Sequence, residues 1–153
     1  MRKIKVLSII NIIVSLFLGW TLFWGGVRKF SKPLPAPTAQ IEAFKKGELE
    51  KIDEATLKIK NYIFGMKQTG YFWQFLGVSE ILAGLLLFSQ FFRFAGATIA
   101  LPMTIQIFLF HLYLEPHEVG ELIETAFMLL INVWLIAFEY PKWKHLVLNK
   151  SIL

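Results

Sequence analysis

The residue that most needs a chemical explanation is Glu80, set within the apolar run GVSEILAGLLLF (residues 77–88). A lone charged carboxylate at the centre of a membrane-embedded helix costs ~3 kcal/mol or more. It is therefore either held protonated or paired with a cation. Arg28 and Lys29 close the preceding apolar run in GGVRKF, and His111 lies late in the following one. These three are the candidate partners. Glu115, Glu121 and Glu124 fall near the same level, and Trp24 sits one turn before Arg28. Arg28, Lys29, Glu80, His111, Glu115, Glu121 and Glu124 can thus line one cavity opening outward, and Glu80, His111, Lys29, Arg28, Glu124 and Trp24 are the candidates for ligand binding or a proton relay. A structural polar lock between helices accounts for Glu80 and His111 equally well. Trp20 and Trp24 also read as interfacial or packing aromatics. Arg93 stands at the opposite end of the hairpin and is expected to be structural.

Other chemistries find little support. His111, Glu115, Glu121 and Glu124 are able metal ligands, but no His-x-x-x-His or Glu-x-x-His spacing accompanies them, so no metal site is expected. No Ser–His–Asp set, glycine-rich phosphate loop or Walker signature occurs. No residue is given a catalytic role, and the chain is not expected to be an enzyme on its own. It has no cysteine, which excludes disulfides and thiol redox chemistry within this chain.

The elements that must position these residues are membrane spans. At 153 residues, 56% hydrophobic and only 18% charged, the chain is more apolar than a soluble domain. Its mean hydropathy is +0.55. One integral membrane domain covers residues 1–153, with spans at about 6–27, 71–89, 94–114 and 119–138. The fold expected is all-α: a four-helix transmembrane bundle. A cleaved signal peptide would have an apolar stretch of only ~7–15 residues and a small-x-small site after it. The first run is longer and ends in GGVRKF, so a retained helix is expected. Small and weakly polar residues recur at helical spacing along one face of each span. Ser8, Asn11, Ser15, Gly19, Leu22 and Gly26 do so in the first; Gln74, Gly77, Glu80 and Gly84 in the second. Such stripes let helices approach closely in lipid. Gly96, Ala100, Thr104, Ile107 and His111 mark the third, where Pro102 is expected to kink the helix. Glu121, Glu124, Met128 and Asn132 mark the fourth.

The loop 28–70 is extended at KPLPAPT. From Ile41 to Met66 it is read as one additional amphipathic helix, with Ile52, Thr56, Ile59, Ile63 and Met66 on its apolar face and Lys51, Glu54, Lys58 and Asn61 elsewhere. It lies on the membrane or caps the bundle, or else is a solvated loop helix. The tail KWKHLVLNK is interfacial in character. The net charge of +5 sits at span ends and in this loop, with no basic recognition helix. That argues for anionic lipid headgroups and against nucleic acid. Nine of the sixteen Lys and Arg lie in the loop, but the short termini are denser and the turn at Glu115–Glu118 has none. Cytoplasmic termini follow, in a multi-pass protein of the cell (inner) membrane.

Several blocks together carry a family resemblance. They are GGVRKF at the end of the first span, GVSEILAGLLLF in the second, the hairpin FFRFAGATIALPM and His111. The chain resembles the DoxX-type family of small four-helix bacterial membrane proteins over most of its length except the long loop. The matching polar positions are Lys29, Glu80, Arg93 and His111. The resemblance implies an accessory subunit, or a binder of a quinone- or lipid-like ligand, in a membrane redox or stress-response complex. Relatives are associated with a thiosulfate:quinone oxidoreductase, so a membrane subunit of a quinone-linked oxidoreductase is the enzymatic reading. The implied cofactor is a quinone, not covalently bound, and the implied partner a membrane or soluble redox protein. The missing cysteines set this chain apart from thiol-related members. A proton-coupled small-molecule transporter using Glu80 is the alternative.

Overall fold

A computed structural model describes residues 2–48 and 52–147. The described residues form α-helices and connecting turns, with no strand among them. In chain order the helices are α1 (Arg2–Arg28), α2 (Ala39–Lys45), α3 (Glu54–Gln68), α4 (Phe72–Phe88), α5 (Arg93–Leu114), α6 (Val119–Phe138) and α7 (Tyr140–Val147).

Three helices are long and apolar enough to cross a membrane: Val6–Arg28, Arg93–Leu114 and Val119–Phe138. Between 22% and 28% of each apolar window is buried inside the chain. The exposed remainder includes Ile9, Ile13, Ile105, Leu109, Ile123 and Leu130. Apolar surface on that scale requires an apolar solvent, which the hydrocarbon core supplies. At 17 residues α4 rises about 26 Å, short of a ~30 Å core. It qualifies as a span only together with α3, which meets it at an 89° bend.

The long helices close into a ring. α1 packs along α4, α4 against α5, α5 against α6, and α6 returns to α1 along the thinnest seam. The α1–α4 contact follows from glycine. A Cβ at Gly26 would lie 2.6 Å from the Gly77 carbonyl oxygen, and one at Gly84 would lie 2.7 Å from that of Gly19. Both backbones approach only because neither position carries a side chain. The expected first-span stripe is buried from Asn11 through Ser15, Gly19 and Leu22 to Gly26, whereas Ser8 is exposed. Leu18, Leu22, Ala83, Leu87, Ala97 and Leu135 fill the centre.

Polar side chains lock the ring. Ser15 Oγ accepts from Gln90 Nε2 at 2.9 Å, tying α1 to the α4–α5 turn. Trp134 Nε1 donates to Asn11 Oδ1 at 2.9 Å, tying α6 to α1. Asn132 is fully buried against α5. With its amide nitrogen donating to the Ala97 carbonyl (2.9 Å), its oxygen accepts from Leu101 N (3.0 Å) and Thr104 Oγ1 (2.9 Å). An α6 amide therefore holds the α5 backbone at Ala97 and Leu101, just ahead of Pro102. Arg93 pairs with Glu139, which is 4% exposed, and so joins the start of α5 to the end of α6.

The loop helix expected over 41–66 is two helices. α2 ends at Lys46 and Gly47, where Gly47 takes φ 69°, a left-handed stop. α3 starts anew at the N-cap Asp53, whose carboxylate accepts from Thr56 N at 3.0 Å. Two local signals thus override the apolar periodicity that ran through both. Lys51 lies outside the described residues, with 49 and 50, as do 148–150 of the tail. Within α3 the expected faces hold. Ile59, Ile63 and Met66 are half-buried, whereas Glu54, Lys58 and Asn61 are exposed. Lys58 and Glu54 pair at 2.7 Å.

Candidate functional site

The site forms where α1 ends and α4 and α5 pass it. α1 stops at Arg28, and Lys29 N and Phe30 N close short turns onto Gly26 O and Val27 O, each at 3.1 Å. Trp73 Nε1 donates to the Lys29 carbonyl at 3.1 Å and fixes that turn against the first turn of α4. Lys29 then reaches inward. Its Nζ donates to both oxygens of Glu80, at 2.7 and 2.9 Å. The side chains are 15% and 3% exposed, respectively. The ammonium also lies 5.3 Å from the centre of the Trp73 ring, and Lys67 Nζ lies 4.8 Å from it. A carboxylate that would be costly alone in hydrocarbon is thus paired and bidentate.

The other expected partners are placed differently. Arg28 is exposed and lines the cavity mouth. His111 does not serve as the partner of Glu80. Its Nδ1 lies 2.9 Å from Glu115 Oε2, one turn further along the chain. The helical i,i+4 spacing makes that contact local, which a reading across the hairpin overlooked. Arg93 is at the other end of the bundle.

Two cavities meet at the pair. The larger, about 760 Å³, is lined by Trp24, Arg28, Lys29, Glu80, His111 and Glu124, with Trp20, Glu121, Thr125 and Met128 beside them. Of the residues expected to share a cavity, Arg28, Lys29, Glu80, His111, Glu121 and Glu124 line this one, and Glu115 does not. Its size lies within the ~300–1,000 Å³ of small-molecule sites. The second, about 230 Å³, is mainly apolar and extends under α3 between Tyr62, Met66, Phe72, Leu76 and Met103. Lys29, Glu80, Ile107 and His111 belong to both. The ion pair therefore lies where the cavity that carries most of the charged groups adjoins a mainly apolar one.

The contributions of Trp73, Tyr62 and Gln106 were not anticipated. Gln106 carried a signal, as a glutamine inside an otherwise apolar run. Tyr62 and Trp73 carried none beyond their aromatic character. No group of three or more His, Asp or Glu able to hold a metal occurs among the described residues. The arrangement can receive a compact polar group at Lys29, Glu80 and His111, and apolar matter beside it. Compared with protein-family models, curated protein sequences and solved structures, the chain matches none.

Proposed function

We propose that this is a DoxX-like four-span membrane protein that binds a small amphiphile at the Lys29–Glu80 pair, as an accessory or ligand-binding subunit of a redox or stress-response complex. One observation carries the reading: a buried ion pair lies where a cavity rich in charged groups adjoins a mainly apolar one. A structural lock alone needs no cavity on either side of it. A quinone- or lipid-like molecule has the matching two-part character. The fourth crossing is α4, supported by its place between α1 and α5 along the ring. α3, turned by 89°, then lies along the membrane surface with its basic and acidic face in water. Cytoplasmic termini in a bacterial inner membrane complete the proposal.

Menadione titrated against the full chain in lipid nanodiscs tests it, read by fluorescence of the tryptophans lining the cavities. Saturable quenching is expected, weakened at least tenfold in Lys29→Met. Absence of saturable quenching would refute a quinone-like head at this site. The transporter reading rests on Glu80 facing both spaces. It predicts pH-dependent flux in liposomes that Glu80→Gln abolishes, and flux unaffected by that change would end it.

A further inference from the structure

The apolar pocket beneath α3 adjoins a groove of about 660 Å³ that reaches Phe75, Ser79, Ile99 and Pro102 of α4 and α5. Tyr62, Met66, Phe72, Leu76, Met103 and Gln106 line both spaces. Lys29, Glu80, Ile107 and His111 are walls that this pocket shares with the polar cavity. Shared walls thus connect a charged mouth at Arg28, Glu121 and Glu124 to a flank where Phe75 is 63% exposed.

Polarity falls along this course. The groove has no ionic group in its lining. Its two largest polar side chains satisfy each other, Gln106 Nε2 and Tyr62 Oη being 2.6 Å apart. That bond carries α3 onto α5. Otherwise α3 has no buried residue and touches α4 and α5 only sparsely, so it covers the groove without being part of the core. The polar cavity, by contrast, sets Arg28 and Lys29 against Glu80, Glu121 and Glu124. With no cationic excess, it does not select an anionic phosphate head.

We propose that the groove holds the flexible apolar chain of the ligand, which enters sideways from the hydrocarbon core beneath α3, and that the ligand is therefore a single-chain amphiphile with an uncharged, hydrogen-bonding head. This rests on the head site proposed at Lys29–Glu80. Sideways entry keeps the chain in an apolar medium throughout and moves only an uncharged head past α3. A bilayer acyl chain lying in the groove without any head at the ion pair is the competing occupant.

The test compares tetraprenyl menaquinone with menadione, the same ring without the chain, on the full protein in nanodiscs. The prenylated probe is expected to bind at least tenfold more tightly. Ser79→Trp and Ile99→Trp, which fill the groove away from the ion pair, are expected to remove that advantage and leave menadione binding unchanged. Equal affinity of the two probes in the unaltered protein overturns the inference, as does an advantage that survives both substitutions. In those cases menadione binding weakened by Lys29→Met would leave the head site standing. If neither probe binds, both readings fall. A second measurement needs no variant. Tetraprenyl menaquinone with a diazirine at the chain end should label Phe75 or Ile99, and unlabelled probe should compete. Labelling around Trp24 and Glu124, or labelling that unlabelled probe does not reduce, overturns the inference.

Discussion

Lys29→Met should destabilise the protein more than Glu80→Gln, and the two changes should not add. The asymmetry follows from exposure. Removing the ammonium leaves the Glu80 carboxylate, 3% exposed, without its bidentate partner. Breaking a buried pair in this way costs about 3–5 kcal/mol. Removing the carboxylate leaves Lys29, which is 15% exposed and borders the cavity that also holds Glu121 and Glu124. The ammonium can turn into that space, so Glu80→Gln should cost only about 1–3 kcal/mol. With both charges gone no buried charge is left unpaired, and the double variant should recover at least about 2 kcal/mol relative to the sum. For a chain of this length each kcal/mol corresponds to roughly 2–4 °C, so Lys29→Met should lower Tm by on the order of 10 °C. Thermal unfolding in one detergent, followed by circular dichroism, reads all four proteins. Additive losses, or a Lys29→Met protein as stable as the parent, would refute the pairing as an energetic unit.

Further outcomes follow from other contacts. Gly26→Ala and Gly84→Ala each drive a Cβ into backbone of the facing helix, at 2.6 and 2.7 Å, and should each cost about 1–3 kcal/mol in the same unfolding assay. Gly120→Ala meets no atom within 4 Å and should raise stability by up to about 1 kcal/mol. Arg93→Met removes the guanidinium paired with Glu139 at the far end of the bundle and should cost about 1–3 kcal/mol. At the start of α3, hydrogen bonds from Thr56 hold the Asp53 carboxyl below its ordinary 3.8. A lowered value means the cap is fully formed above that pH and is lost as pH falls through the folded-state value. Asp53→Ala should therefore speed amide exchange at Thr56 at neutral pH, and the difference should vanish in acid well below 3.8.

How much of this was legible in the sequence depended on whether the signal was periodic. Gly19, Gly26, Gly77 and Gly84 recur at helical spacing, and they are where α1 and α4 touch. A carboxylate deep in an apolar run needs a cation at its own level, and Lys29 at the end of GGVRKF is such a cation. The helices α1, α4, α5 and α6 begin and end within a residue or a few of the limits expected for the four spans. The exceptions were local or non-periodic. Gly47 and Asp53 are a stop and a start, but the apolar period continues through them and hid the break between α2 and α3. Glu115 takes His111 because it is one turn away, a contact that counts for more than a partner across the hairpin. The Arg93–Glu139 pair and the Asn132 brace on α5 join residues far apart in the chain. No spacing rule reaches them, because which helices neighbour one another is decided by packing around the ring. The groove beneath α3 was likewise hidden, since it depends on the 89° turn between α3 and α4.

A native mass spectrum of the gently solubilised protein, beside that of Lys29→Met, is the most direct test that the ion pair is a binding site. The unaltered protein should carry one small amphiphile of defined mass, and Lys29→Met should lose it while keeping its ordinary lipid adducts. A bare parent protein, or the same adduct retained by Lys29→Met, would contradict a ligand at Lys29–Glu80.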